Sequence, residues 1–200
     1  YAILAEMGFI TKDDLHSYRV LGGICKGHVD MKWCPGIDFS AGSLGMGLSF
    51  GMGCSIAARL DGSDRNVFVM LGDGEIQEGS IWEAAMAAKH HELGNLKVIL
   101  DRNRIQNDDF CESQMRMFDI PGKWKSFGWE VMEIDGHDTK EIVKGLDFLV
   151  NINDKPAILI AHTIKGKGVS YMEDNPAFHG AAPNDEQFHV AMEELGEVIA

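Results

Sequence analysis

The feature that most limits how this chain can fold is a pair of short apolar runs joined by a helical segment. The runs are Val67-Phe68-Val69-Met70-Leu71 and Val98-Ile99-Leu100. Each run opens onto polar residues: Gly72-Asp73-Gly74 after the first and Asp101-Arg102-Asn103 after the second. Short apolar runs bounded by turn residues read as buried strands. Two strands with a helix between them pair in parallel through a right-handed crossover. Asp73 and Asn103 are therefore expected at one sheet edge, the carboxyl edge, where open α/β sheets bind ligands.

The rest of the chain extends that pattern. Trp129 to Ile134 and Pro156 to Ala161 read as further strands, and Thr139 to Val150 as a helix with Ile142, Val143, Leu146, Leu149 and Val150 on one face. Ser80-Ile81-Trp82-Glu83 fits a capping box, so the crossover helix is expected to start at Ser80, run to about Leu93 and stop at Gly94. Its small, apolar first turns imply burial on more than one side, under other elements or against a second subunit. The alternation predicts an α/β fold, a mostly parallel sheet flanked by helices. Asp13 to Tyr18 and Asp119 to Phe127 read as short helices, Gln106 to Ser113 as a polar loop, residues 163 to 185 as a long loop and Glu186 to Ile199 as a closing helix. A single domain over residues 1–200 is expected. Tyr1 to Gly8 reads as the end of a helix already under way, so residues upstream are expected too.

Composition narrows the function classes. Lys and Arg number 18 against 31 Asp and Glu, a net charge of −13 that argues against a nucleic-acid surface. Ala41 to Ala58 carries no charge, but its five glycines and three serines argue for a buried helix over a membrane span. Gly47 and Gly51 then mark a close backbone approach. The turn Gly42-Ser43-Leu44-Gly45-Met46-Gly47 before it offers free N–H groups to an anion. Cys25, Cys34, Cys54 and Cys111 form no CxxC pair and read as reduced thiols of a cytoplasmic protein. No phosphate-binding GxxxxGK[ST] and no dinucleotide-binding GxGxxG in context is present.

The chemistry at the carboxyl edge suits magnesium, which takes hard oxygen ligands and shares them with a phosphate. Asp73 offers a carboxylate, Asn103 an amide oxygen and Ile105 a backbone carbonyl. A single carboxylate fits a ligand that brings its own negative charge.

These residues resemble the thiamine diphosphate fingerprint, Gly-Asp-Gly followed about thirty residues later by Asn. The string Leu71-Gly72-Asp73-Gly74-Glu75-Ile76-Gln77-Glu78-Gly79 is similar to the transketolases in particular. So are Gly27-His28, the glycine-rich turn at Gly42, Asp135-Gly136-His137-Asp138, Thr163-Ile164-Lys165-Gly166-Lys167-Gly168 and Phe178-His179-Gly180, in family order. The chain looks most like the N-terminal, diphosphate-binding subunit of a split transketolase.

The resemblance implies a thiamine diphosphate-binding fold and transfer of a two-carbon ketol unit from a ketose phosphate to an aldose phosphate. It implies Mg2+ on Asp73, Asn103 and Ile105, and cofactor contacts from Gly42, Ser43, Leu44, Gly72, Asp73, Gly74, Glu75, Asn103 and His179. His28 and His179 would meet the substrate, and Glu78 would link two active sites across a dimer. His28 is followed by Val29 where the family usually has proline. The implied partners are a C-terminal subunit carrying the pyrimidine-binding domain and phosphorylated sugars, in a dimer or heterotetramer, with no nucleic acid or membrane. The chain alone is expected to bind cofactor and metal weakly and not to turn over. Three other readings stay open: a deoxyxylulose-phosphate synthase, a 2-oxo acid dehydrogenase E1 subunit, or a catalytically silent regulatory subunit. Glu75-Ile76-Gln77-Glu78 speaks against the first two, and intact Asp73, Asn103 and His179 against the third.

Overall fold

Four all-parallel strands organise the computed structural model, which describes residues 1–196. They are β1 (Val67–Gly72), β2 (Leu96–Arg102), β3 (Glu130–Asp135) and β4 (Ala157–His162), in the order β1-β2-β4-β3. Helices α1 (Ala2–Glu6), α2 (Met46–Leu60), α3 (Gly79–His90), α4 (Cys111–Gln114), α5 (Ile120–Ser126), α6 (Thr139–Asn151) and α7 (Asp185–Glu194) complete the order along the chain. No helix among the described residues is long and apolar enough to cross a membrane.

The chain forms two compact units, Tyr1–Met46 and the remainder from Gly47, where the sequence reading expects one. The N-terminal unit has a small core of its own around Ile10, Cys25 and Cys34. In the larger unit the sheet alternation sorts the side chains. Val69, Leu71, Val98, Leu100, Ile158 and Ile160 join the core with residues of α2, α3 and α5. The opposite face places Leu159 and Ala161 against α6. Trp124 is fully buried in the first layer, with its ring centroid 5.3 Å from that of Trp82 and 4.9 Å from that of Trp129. The Trp129 indole N–H donates to the Ala85 carbonyl at 2.9 Å, which ties α3 to the start of β3.

The close approach expected at Gly47 and Gly51 is found at Gly51, where an added Cβ would lie 2.3 Å from Val69 Cγ2. Other expectations are corrected. Helix α3 begins at Gly79 with Glu78 as its N-cap, so Ser80 lies inside the helix and no capping box forms there. The 3-10 turn Glu75–Gln77 and extended Glu78 bring the chain into the helix earlier. The helix ends at His90, and Glu92 (φ 49°) takes the left-handed conformation expected of Gly94. Gly94 has a different task, since a Cβ there would lie 1.9 Å from the Asn153 carbonyl oxygen. Within this chain α3 buries one face, Ile81, Ala84, Ala85 and Ala88, and leaves Met86 exposed.

On α6, Leu149 is buried while Val143, Leu146 and Val150 are exposed, because Gly145 rather than a larger residue meets Leu159. The polar stretch from Gln106 contains the turn α4 and an antiparallel bridge between Ile105 and Phe110. Helix α7 stops at Glu194, and the end of the expected closing helix, residues 197–199, lies outside the described residues.

Candidate active site

The register of β1 on β2 runs from Val67↔Leu96 to Gly72↔Asp101, so both strands end level at the carboxyl edge. The Asp73 N–H donates to the Asp101 carbonyl at 3.2 Å and carries the ladder one residue past β1. Asn103 follows β2 directly. At Arg104 (φ 69°) the chain reverses into a small hairpin. Cys111 N–H to Arg104 O at 2.8 Å and Gln106 N–H to Asp109 O at 2.9 Å close it. The hairpin packs over the Gly-Asp-Gly turn, and an added Cβ on Gly74 would lie 2.7 Å from Gln106 Cβ. Gly74 therefore answers to hairpin packing. A Cβ on Gly72 would meet only Glu75 Cβ, at 3.9 Å, so the backbone there has open space.

Asp73 is the buried anion of the site, 4% exposed. Its Oδ2 accepts the Arg104 N–H at 2.6 Å and its Oδ1 the Cys111 thiol at 3.4 Å. Burial raises its pKa above the usual carboxylate value, and the donors from Arg104, Cys111 and Gly74 oppose that shift without overcoming it. Burial first, then the neighbouring Asp73 carboxylate, pushes the Cys111 thiol up to about 12, so it stays a protonated donor. Asn103 is buried as well, and its Nδ2 donates to Asp101 at 3.0 Å. Asp101 in turn accepts the Thr163 hydroxyl. That chain fixes the Asn103 amide with Oδ1 toward the Ile105 N–H, at 3.0 Å.

The residues present fit a magnesium ion bound together with a phosphate. One carboxylate, one amide oxygen and the Ile105 carbonyl gather at one place, all hard donors. Among the described residues no three of His, Cys, Asp and Glu come together, so a closed protein cage is not built here. Phosphate oxygens and water would complete the coordination.

The other expected residues fall as follows. Glu75 Oε2 accepts the Gly72 N–H at 3.0 Å, which braces the turn. Glu78 is exposed at the N-cap of α3. His179 is exposed after the turn Pro176–Phe178, and partial loss of water around the ring, then the Lys165 ammonium, lower its pKa. Arg104 pairs with Asp174 at 2.8 Å and joins the hairpin to the long loop. The loop's start is fixed by the Ile164 N–H, which donates to His137 Nε2 at 2.8 Å. Within the N-terminal unit His28 lies against the Gly42 backbone, where an added Cβ would be 3.2 Å from the His28 ring. Ser43 and Leu44 are exposed beside them.

Two features escape a reading of the sequence. One is the Cys111 thiol on Asp73, 38 residues away in the chain. The other is a cavity of about 440 Å³ between the sheet and α6, with Met70, Ile99 and Leu159 on its apolar walls and Asp101, Thr163 and Lys165 among its polar groups.

Comparison with known proteins places this geometry. Residues 1–198 match the family "Transketolase, thiamine diphosphate binding domain". The chain is 41% identical over 199 residues to one subunit of the apulose-4-phosphate transketolase of Phocaeicola vulgatus, covering 100% of this chain and 70% of that protein. It is 36% identical to a 6-deoxy-6-sulfo-D-fructose transketolase subunit of a Clostridium species, over 98% of this chain and 71% of the relative. Human transketolase is 35% identical over 90% of this chain, which spans only 28% of the human protein. Among solved structures, transketolase from Leishmania mexicana superposes with a TM-score of 0.92 at 30% identity, over 98% of this chain and 31% of the other. The carboxyl-edge Asp73 and Asn103, the parallel sheet that delivers them and the match along almost the whole chain make it a member of the transketolase family, comprising the thiamine diphosphate-binding domain.

Proposed function

We propose that this chain is the diphosphate- and metal-binding half of a split transketolase. The observation that carries the reading is the buried Asp73 carboxylate at the carboxyl edge, held beside Asn103 and Ile105 on a chain similar to single subunits of two-subunit transketolases. Mg2+ would sit on Asp73, Asn103 Oδ1 and the Ile105 carbonyl. Bound there with the metal, thiamine diphosphate supplies a carbon nucleophile that breaks the ketose beside its carbonyl and passes the two-carbon piece to an aldose.

The chain's own residues bind and orient. Asp73 and the metal offset the diphosphate charge, which the net negative charge of the protein would otherwise oppose. Open space at Gly72 lets a phosphate approach the backbone. His179, held neutral by its lowered pKa, can hydrogen-bond polar oxygens and hold or yield a proton at an imidazole nitrogen. His28, fixed against Gly42, would hold a substrate hydroxyl, and Glu78 at the exposed start of α3 would meet a second copy.

The partner would be a C-terminal subunit carrying the pyrimidine-binding domain, in a cytoplasmic dimer or heterotetramer. The relatives are named for a phosphorylated and a sulfonated sugar, which favours a substrate with an anionic end, such as a sugar phosphate. The test is two-carbon exchange between a ketose phosphate and an aldose phosphate, with the C-terminal subunit, thiamine diphosphate and Mg2+ present. Exchange is expected only with both subunits, and Asp73→Ala should remove it. Turnover by this chain alone, or full activity of Asp73→Ala, would overturn the proposal.

A further inference from the structure

We propose that Cys111 is a positioning residue for the metal site, its thiol fixing the plane of the Asp73 carboxylate for the incoming ion. This rests on the reading of Asp73 as a metal ligand. The terminal torsion of an aspartate is broad and roughly two-fold, so a single donor on one oxygen leaves the carboxylate free to turn. Here the two oxygens have different donors: the Arg104 N–H on Oδ2 at 2.6 Å and the Cys111 thiol on Oδ1 at 3.4 Å. Both come from the same hairpin, because the Cys111 N–H bonds the Arg104 carbonyl at 2.8 Å. The left-handed Arg104 and the bridge from Ile105 to Phe110 hold that hairpin in shape. The hairpin also contains Ile105, so the groups that orient the carboxylate and the carbonyl beside it move as one piece.

The chemistry of the contact suits the task. Each carboxylate oxygen has two lone pairs, and the thiol takes only one on Oδ1. A thiol is a weak, uncharged donor. A lysine or arginine there would compete with the ion, and an acid would repel the carboxylate. Cys111 is buried, so water does not replace the thiol hydrogen bond.

The test is Mn2+ binding to the full-length protein with thiamine diphosphate present, read from the electron paramagnetic resonance signal of free Mn2+. Groups that orient metal ligands typically change affinity about 10–100-fold when removed, and a weak donor belongs at the low end. Cys111→Ala is therefore expected to weaken Mn2+ binding about tenfold. Cys111→Ser keeps a donor and should stay within about threefold of wild type. Cys111→Val keeps the packing volume without the donor and should behave as Cys111→Ala, which covers the case that the smaller residue fails to fold. Wild-type affinity in the alanine and valine variants would overturn the proposal, as would equal weakening of the serine variant. Asp73→Ala separates the two levels. If it abolishes Mn2+ binding while Cys111→Ala binds normally, only the positioning role fails. If it leaves binding unchanged, the metal reading itself fails.

Discussion

Asp73→Asn should stabilise the protein in the absence of ligand and destroy its response to ligand. The ionised carboxylate is 4% exposed, and its raised pKa says that burial outweighs the donors from Arg104, Cys111 and Gly74. Asparagine has nearly the same shape and keeps an oxygen for the Arg104 N–H. It gives up the charge assistance of that bond, about 1 kcal/mol. It escapes the cost of a buried ion, effectively several kcal/mol before its donors are counted. A net gain of about 1–2 kcal/mol follows, or about 2–8 °C in Tm for a chain of this size.

The sign can be tested with pH. With its pKa raised, folded Asp73 holds a proton between the unfolded value, 3.8, and its own, and stability falls as pH rises through that window. The advantage of asparagine is thus present at neutral pH and shrinks on acidification. With thiamine diphosphate and Mg2+ at a hundred times Kd, wild type should gain about 2.7 kcal/mol and the variant little. The order of the two melting temperatures therefore inverts on adding ligand. Thermal unfolding with and without both ligands measures this. A variant less stable than wild type without ligand, or one that gains as much as wild type with it, would refute the reasoning.

Two further predictions concern packing and the loop. Gly94→Ala drives a Cβ to 1.9 Å from the Asn153 carbonyl oxygen and should cost about 2–3 kcal/mol, whereas Gly53→Ala, with nothing within 4 Å in an exposed helical position, should gain about 0.5–1 kcal/mol; denaturant unfolding measures both. His179 should titrate below 6.5 by NMR, and Lys165→Met should raise it part of the way, because loss of water is the larger cause. A pKa unchanged by Lys165→Met would remove Lys165 from the site. The sign for stability is opposite to that of Asp73: the unfolded chain binds the proton first, so His179 disfavours the folded state as pH falls through 6.5.

Much of this architecture is legible because apolar runs in a parallel sheet are continuous and bounded. Val67 to Leu71 and Val98 to Leu100 lie within β1 and β2, and the polar residues that end them do reach the carboxyl edge. What the sequence hides depends on long-range contact. Gly94 looks like a helix stop, but its lack of a side chain serves Asn153, in a loop distant in sequence. Ser80 and Glu83 have capping spacing, yet the 3-10 turn before them changes where the helix begins. Cys111 lies in what reads as a polar loop. Nothing local marks it as the donor to Asp73, because that contact exists only once the hairpin folds over the Gly-Asp-Gly turn. Lys97 is similar: fully buried in β2, it donates to the carbonyls of Gly94 and Ile152, partners that no strand pattern reveals.

Asp73 is the residue on which the assignment of the carboxyl edge depends most directly. Calorimetric titration of thiamine diphosphate into the protein with its C-terminal partner, in Mg2+ and then in chelator, isolates the metal-dependent part of binding. The expected result is binding that depends on Mg2+ in wild type and loses that dependence in Asp73→Ala. Equal, metal-dependent binding by the two proteins would contradict the assignment of the carboxyl edge as the diphosphate and metal site.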